Sequence, residues 1–418
     1  MTRPGNCTAS CRIDTESLQA TTVGCIRCRT YRYRLHPTWR QDQALLCQLR
    51  LQRELYNAAL EERIGAWRRQ RRVTYVEQCR ELKELREDRP EVLACGVVLC
   101  RGTLKRLDRA YANFFRRVKS GETPGFPRFK GTSRFSSLQW EDKSGWRVRY
   151  SERRLYLLGI GAVKANYHRP LKVTPKAITV SREGRKWWLC VRCVEVPAER
   201  LPATGYEVGV DLGVVNLVAL SDGTLVKGPR FEERARGRLA DAQRRLGGCQ
   251  RGSKRRERQR EEVARLHRKV ANQRRDVAHQ LSRRLVNEFD LIAIEDLKVA
   301  PMAWRPKPEA DPERPGEFLP NGATRKAPLN RSIHDAGWEQ LTALLSYKAE
   351  SAGRTVVLVS AHRTSQTCAE CGHVEASNRV SQAVFRCQVC GHIEHADVNA
   401  ARNILWAGRA QRALARAG

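Results

Sequence analysis

Long apolar segments are missing from this sequence. Its 418 residues contain no uninterrupted apolar run of roughly 18, the length that a bilayer-spanning helix needs. Residues 1–24 also lack the apolar stretch of a secretory signal. We therefore expect no membrane partner and a cytoplasmic protein. In that reducing compartment we expect its 15 cysteines to be thiols or metal ligands, and we expect no disulfides.

Acidic residues are in short supply relative to basic ones. Asp and Glu number 45 against 78 Lys and Arg, which gives a formal net charge of +33. A surface of that sign concentrates polyanions and releases their condensed counterions on binding. The composition is otherwise globular, with 41% hydrophobic residues, and the length allows several domains. The sequence therefore predicts a nucleic-acid partner.

The first half of the chain changes pattern three times. Residues 1–30 are a polar leader with four cysteines, and residues 31–35 alternate like a strand. Residues 39–119 place leucines at helical spacing with frequent arginines between them, which predicts a basic helical block. Two prolines break residues 123–130, and residues 135–195 then have the pattern of short strands with turns. This half therefore predicts helices followed by a small β domain.

The second half predicts buried strands around a basic helical segment. Residues 208–220 read as one apolar strand, residues 221–223 as a hairpin turn, and 291–295 and 355–360 as further buried strands. Residues 230–286 carry 19 Lys or Arg against 7 Asp or Glu, a balance of +12. Charged helices are usually solvated faces, but this one-sided sign favours contact with phosphates.

Three acidic residues occupy unusual positions in these strands and at one helix start. Asp211 interrupts the apolar strand, Glu295 ends the second apolar strand, and Asp397 opens a segment of helical periodicity. Taken singly, each has an ordinary explanation as a turn former, a strand end or a helix cap. Taken together, they predict a site in which carboxylates hold two Mg²⁺ ions about 4 Å apart for phosphodiester hydrolysis.

Four cysteines in the second half form two CxxC pairs separated by fifteen residues, namely Cys368, Cys371, Cys387 and Cys390. This spacing is typical of a tetrahedral four-thiolate zinc site. A glycine follows each pair, as the tight turn of such a site requires. Because all four positions are thiolates, the zinc is predicted to be structural and not hydrolytic.

The leader repeats this pattern with less regular spacing, at Cys7, Cys11, Cys25 and Cys28. A second zinc ion and free thiols in a frayed terminus are both open interpretations of these four residues. Cys190 and Cys193 differ, because their odd separation in a strand places them on opposite faces. We interpret those two as core or surface thiols.

The order of the motifs resembles the TnpB nucleases of insertion sequences and their relatives, the compact type V CRISPR effectors. The second half carries GVDLG, AIEDL, TSQTCAECG, FRCQVCG and ADVNAARNI in the order of that family. YRYRLHPT, YNAALEER, GFPRFK, KVANQRRDVAHQLS and LNRSIHDAGW are also similar, so the resemblance spans about residues 30–406. Two features depart from the family. They are the cysteine leader and the proline-rich residues 304–328, which predict a loop or lid that gates the site.

The resemblance implies a multidomain α+β fold. It is a wedge β-barrel with an inserted helical recognition domain, followed by an RNase H-like (RuvC) domain with an inserted zinc ribbon. The implied boundaries are 1–30 for the leader, 31–36 and 132–204 for the barrel, 37–131 for the helical domain, 205–360 and 394–406 for the RuvC-like domain, 361–393 for the ribbon and 407–418 for a basic tail. It also implies a prokaryotic, nucleoid-associated protein whose partners are a guide RNA and double-stranded target DNA. Asp211, Glu295 and Asp397 take the role of the catalytic Mg²⁺ ligands.

Three functions remain open from the sequence. The leading hypothesis is an RNA-guided, Mg²⁺-dependent DNA endonuclease that reads a short flanking DNA motif. The alternatives are an RNA-guided repressor that rarely cuts, and a DNA-strand transferase of a transposon. The intact acidic triad weighs against the repressor, while the formation of a joined 3′ end would identify the transferase. The sequence does not distinguish a transposon nuclease from a CRISPR effector, and it leaves the oligomeric state open.

Overall fold

The chain folds into two compact units, Met1–Pro197 and Ala198–Gly418. The computed structural model describes residues 28–312, 314 and 316–417. No helix among these residues is both long enough and apolar enough to cross a bilayer. Together the two units give a mixed α+β fold.

In the described part of the first unit, which begins at residue 28, seven strands combine with three α-helices. In chain order its elements are β1 (Arg29–His36), α1 (Trp39–Arg68), α2 (Tyr75–Asp88), α3 (Val97–Lys119), β2 (Ser137–Trp140), β3 (Trp146–Arg149), β4 (Arg154–Leu157), β5 (Gly161–Asn166), β6 (Pro175–Glu183) and β7 (Lys186–Cys193). The predicted helical block and the strands after it are therefore confirmed.

The seven strands form one antiparallel sheet in the order β2-β6-β7-β1-β5-β4-β3. β1 lies at the centre and pairs with β5 and β7, although the three helices intervene before β2. The hydrogen-bonded order is linear, with β2 and β3 as its two ends. On β7, Cys193 is buried and Cys190 is half-buried, which confirms that they lie on opposite faces.

The helices of the first unit are held by their caps and by buried amides. Thr38 and Thr74 each complete a capping box at the start of α1 and α2. Gln52 of α1 is fully buried, where it donates to the Val92 carbonyl at 3.1 Å and accepts from the Thr103 hydroxyl at 2.8 Å. These bonds satisfy a polar group that is otherwise costly to bury, and they fix α1 against α3.

The second unit surrounds a smaller sheet with helices. Its elements are β8 (Glu207–Asp211), β9 (Asn216–Leu220), β10 (Leu225–Lys227), α4 (Phe231–Gly247), α5 (Lys254–Glu288), β11 (Leu291–Glu295), α6 (Val299–Met302), α7 (Ala323–Ala336), α8 (Trp338–Ala352), β12 (Thr355–Val359), β13 (Val384–Arg386), β14 (Ile393–His395) and α9 (Ala396–Ala417).

Five of these strands form a mixed sheet in the order β10-β9-β8-β11-β12. β8, β11 and β12 are parallel, while β9 and β10 continue as antiparallel hairpins. Ile292 and Ile294 of β11 pack into the core shared with α5 and α8. Ala293 points to the other face, where it packs with Ile404 of α9. The central strands are therefore buried on both faces, which explains their continuous apolar sequence.

Two sequence predictions were wrong in detail. The apolar segment 208–220 is not one strand, because the chain turns between Asp211 and Asn216 and returns as β9. Gly213 permits this turn, since a Cβ there would collide with the Asn216 carbonyl. The loop predicted for residues 304–328 ends earlier, because α7 begins at Ala323 and includes Pro328. Packing of α7 through buried Ile333 overrides the proline signal.

Candidate active site and metal centres

Two of the predicted acids lie at the same edge of the mixed sheet. Asp211 is the last residue of β8, and Glu295 is the last residue of the neighbouring parallel strand β11. Val210 is in register with Ile294, so the two acids that follow them lie side by side. In parallel sheets the carboxyl ends of the strands form the edge at which ligands usually bind.

Asp397 reaches this edge from the first turn of α9. The helix packs against β8 and β11 at a distance that only glycine allows. A Cβ on Gly209 would collide with the carbonyl oxygen of Ala401, and a Cβ on Gly408 would collide with Ala293. These two glycines therefore fix where Asp397 lies above the sheet.

The three carboxylates repel one another. The pKa of Asp211 is raised to about 8, first by burial and then by the nearby charges of Glu295 and Asp397, while Arg379 opposes the shift. Burial also raises the pKa of Glu295. Carboxylates crowded in this way are stabilised by a bound cation, and carboxylate oxygens are the ligands that Mg²⁺ prefers. The residues present therefore fit a magnesium site.

Three further side chains contact the acids. Asn216 donates from Nδ2 to Asp397 Oδ2 at 3.0 Å, and Arg379 donates from Nη2 to Asp397 Oδ1 at 3.3 Å. Thr364 donates its hydroxyl to Glu295 Oε1 at 2.9 Å. These bonds orient Asp397 and Glu295, leaving the second Glu295 oxygen for a ligand.

Sequence analysis did not identify these three neighbours. Asn216 carries a usable signal, because it is a buried polar residue at the start of an apolar strand. Thr364 and Arg379 lie in irregular segments around the cysteine pairs, where periodicity gives no information.

The four predicted zinc ligands meet in the second unit. The sulfur atoms of Cys368 and Cys390 are 3.7 Å apart, those of Cys371 and Cys387 are 3.6 Å apart, and all four lie within 4.8 Å of one another. Zn–S bonds of about 2.3 Å in a tetrahedron predict sulfur separations of about 3.8 Å. The cluster therefore matches a four-thiolate zinc site.

Backbone geometry supports this cluster on both sides. Gly372 and Gly391 have φ angles of 76° and 73°, and each donates to the carbonyl of the first cysteine of its pair. Asn378 is fully buried between the two pairs. Its side chain donates to the Gln366 and His373 carbonyls and accepts from the Gln388 backbone N–H. One side chain therefore ties the two halves of the cluster together.

The other candidate zinc ligands cannot be placed together. Cys7, Cys11 and Cys25 lie outside the described residues, and Cys28 is exposed. Within the described part of the chain, the Cys368 cluster is the one group whose metal-ligating atoms come this close. A second zinc ion bound by the leader stays a prediction.

The basic segment 230–286 forms α4 and α5, which pack against each other. Arg274 of α5 binds Asp335 at 2.8 Å and Glu232 at 3.1 Å, which anchors the start of α4 to the end of α7. Arg255, Arg258 and Lys269 of α5 are exposed. These helices therefore present cations on a fixed scaffold, as contact with a phosphate backbone requires.

Comparison with known proteins gives matches along most of the chain. Residues 190–305 match the OrfB_IS605 family model, a probable transposase, and residues 338–404 match the Cas12f1-like TNB domain model. A putative RNA-guided DNA endonuclease of Streptomyces pristinaespiralis is 34% identical over 391 residues, or 91% of this chain and 90% of that protein. The putative RNA-guided DNA endonuclease InsQ of Escherichia coli K12 is 35% identical over 308 residues, covering 74% and 73%.

A cryo-EM structure of a Cas12f1–sgRNA–target DNA complex shares the fold. The TM-score is 0.53 at 12% identity, and the match covers 91% of this chain and 98% of that one. The chain therefore has a mixed α+β fold similar to that of this structure, with a four-cysteine cluster that suits zinc. On the strength of its sequence relatives, the chain belongs to the TnpB-like family of putative RNA-guided DNA endonucleases.

Proposed function

We propose that this protein is an RNA-guided DNA endonuclease that hydrolyses phosphodiester bonds at the Asp211–Glu295–Asp397 cluster. The observation that carries the proposal is the meeting of three carboxylates at one sheet edge, in a chain whose relatives bear that name. Two bound Mg²⁺ ions would supply an activated water and stabilise the leaving oxygen.

The surrounding residues have separate tasks in this proposal. Asn216 and Thr364 hold Asp397 and Glu295 in fixed orientations through one hydrogen bond each. Arg379 brings a positive charge to the same edge, where it offsets the carboxylates and suits a negatively charged phosphate. Asp211 is the most crowded acid, and its raised pKa makes it the residue that depends most on a bound cation.

The finer architecture follows the same proposal. We assign residues 31–36 and 132–204 to a wedge barrel, with the helical recognition domain 37–131 inserted after its first strand. Residues 205–360 and 394–406 form a RuvC-like domain, interrupted by a zinc ribbon at 361–393. The antiparallel sheet split by α1–α3 supports the first assignment, and the cysteine cluster between β12 and α9 supports the second.

The proposed partners are a guide RNA and double-stranded target DNA. The exposed cations of α4 and α5 supply contacts to a nucleic-acid backbone, and base pairing with the guide selects the target. The zinc ion held by Cys368, Cys371, Cys387 and Cys390 has a structural task, because a closed thiolate set leaves no position for water.

The test is to purify the chain from cells that carry its native flanking DNA and to sequence the RNA that remains bound. We expect one discrete RNA with a constant scaffold and a variable end. That RNA then programs cleavage of a matching DNA. Random fragments that salt removes would contradict RNA guidance.

A strand transferase is the second candidate, because the OrfB_IS605 model is described as a probable transposase. Both activities use two-metal chemistry, so the products distinguish them. Free ends in the DNA indicate hydrolysis, whereas a 3′-OH joined to a second DNA molecule indicates transfer.

A further inference from the structure

A cavity is lined entirely by residues of the first unit. It has a volume of about 420 Å³ and forms where the end of β1 leads into α1. Its walls include Arg34 and Trp39 from that junction and Arg182, Arg185 and Trp187 from β6, β7 and the turn between them. Its volume is within the range of pockets that hold small organic ligands, roughly 300–1,000 Å³.

The charge of the cavity favours an anion. Three arginines line it, against the single carboxylate of Asp42. That carboxylate already accepts the indole N–H of Trp187 at 2.6 Å. The Nε atom of Arg182 is buried and has no hydrogen-bond partner among the described residues. A buried guanidinium N–H without an acceptor is costly, and a phosphate oxygen would satisfy it.

Helix α1 adds to this field. It is 30 residues long, and its N-cap Thr38 and first residue Trp39 both line the cavity. The N-terminus of a helix carries a partial positive charge, which favours anions. Arginine side chains and a helix terminus therefore act on the same space.

An aromatic surface lies at the mouth of the cavity. Trp39 is 76% exposed, although its indole is among the largest apolar surfaces a residue can carry. Trp187 forms an inner wall and is 1% exposed. A flat exposed ring beside clustered cations is the arrangement on which nucleobases stack while their phosphates are bound.

We propose that this cavity binds one unpaired nucleotide of a single strand, with its base against Trp39 and its phosphate against Arg34 and Arg182. The proposal deepens the proposed function, because it takes the nucleotide to come from the guide or the target strand. An inorganic anion would contact the arginines but would not stack on the exposed ring of Trp39. A nucleotide uses both the cations and the ring.

The test is photo-cross-linking of the full chain to single strands that contain 5-iodouracil, once as RNA and once as DNA. Iodouracil cross-links to aromatic rings on which it stacks, and mass spectrometry then locates the modified peptide. We expect a cross-link at Trp39. RNA-only cross-linking assigns the nucleotide to the guide strand, and DNA-only cross-linking assigns it to the target strand.

Two variants sharpen the result. Trp39→Leu should remove this cross-link, and Arg182→Gln should weaken binding of the strand on the order of tenfold. Trp67→Leu is the matched control, because Trp67 lies on the same helix, is 74% exposed and does not line the cavity. That control should leave the Trp39 cross-link unchanged.

Cross-links confined to other peptides, with both cavity variants binding like the wild type, would overturn the proposal. This outcome is independent of cleavage, which depends on the acids of the second unit. A chain that cross-links at Trp39 but never cuts guided DNA would keep the cavity proposal and contradict the nuclease.

Discussion

The acidic cluster and the cysteine cluster are both groups of anionic ligands, but the protein builds them in opposite ways. The four sulfurs lie within 4.8 Å of one another, and Asn378 ties the two cysteine pairs together through hydrogen bonds to the backbone. The carboxylates come from two strand ends and a helix start, and burial raises the pKa of Asp211 and Glu295.

This difference is the one we expect between the proposed structural zinc site and the proposed reactive site. In the cysteine cluster all four ligand positions belong to the protein, so a bound zinc ion has no open position. In the acidic cluster Asp397 and Glu295 each have a fixed orientation, while Asp211 stays in an electrostatically unfavourable state. A site of the second kind keeps coordination positions for water and substrate.

The largest expected effect is the loss of zinc. Cys371→Ser should lower the zinc content from about one ion per chain towards none and destabilise the second unit by roughly 5 kcal/mol or more. Thermal unfolding and metal analysis measure both changes. The control is Cys47→Ser, since Cys47 is an exposed free thiol. A Cys371→Ser protein that contains no zinc and is as stable as the wild type would show that the cluster holds no structural metal.

Glu295→Gln tests the reactive site. Loss of one metal-binding carboxylate should slow cleavage by about 10³-fold or more, because the neutral amide is a poor Mg²⁺ ligand. Asp296→Asn is the matched control, because its side chain is exposed and paired with Lys298 at 2.6 Å. Both proteins should retain bound RNA. Equal cleavage rates for the two variants would show that Glu295 is not part of the reactive site.

Gly209→Ala tests how the sheet places Asp397. The added methyl group would collide with the Ala401 carbonyl, so α9 must shift or the strand must distort. We expect a cost of about 3 kcal/mol and weaker cleavage, measured by denaturant unfolding and a cleavage assay. Gly237→Ala in α4 meets no atom within 4 Å and should be neutral or slightly stabilising. A fully stable, active Gly209→Ala protein would contradict the close packing of α9.

The smallest expected effect is a dependence of stability on pH. The folded-state pKa of Asp211 is raised to about 8 from 3.8, so between these values the folded chain binds a proton that the unfolded chain does not. The stability that this group contributes is therefore lost as pH rises from about 4 to 8.

Unfolding of the wild type and Asp211→Asn in Mg²⁺-free buffer measures this effect. The wild type should lose stability relative to Asp211→Asn as pH rises from 5 to 8, and added Mg²⁺ should reduce the difference. A difference between the two proteins that does not vary with pH would show that Asp211 is not crowded by its neighbours.

Local sequence patterns predicted much of this architecture. CxxC spacing identified the four sulfurs, and apolar runs identified β11 and β12. β11 is buried along its whole length, as a strand covered on both faces is, but the prediction that β12 is buried was wrong, because β12 is a partly exposed strand at the end of its sheet. The turn between β8 and β9 was missed because both strands are apolar, so only Gly213 marks it. Contacts of Thr364 and Arg379 depend on tertiary placement, which no short-range pattern encodes.

The most direct test of the nuclease assignment is a cleavage assay with the RNA-bound chain in Mg²⁺. It compares a DNA that matches the variable end of the bound RNA with a DNA that does not, for the wild type and for Asp211→Asn. We predict cutting of the matched DNA by the wild type alone, while Asp211→Asn still binds that DNA. Cutting by Asp211→Asn, or equal cutting of both DNAs, would contradict a guided nuclease centred on these carboxylates.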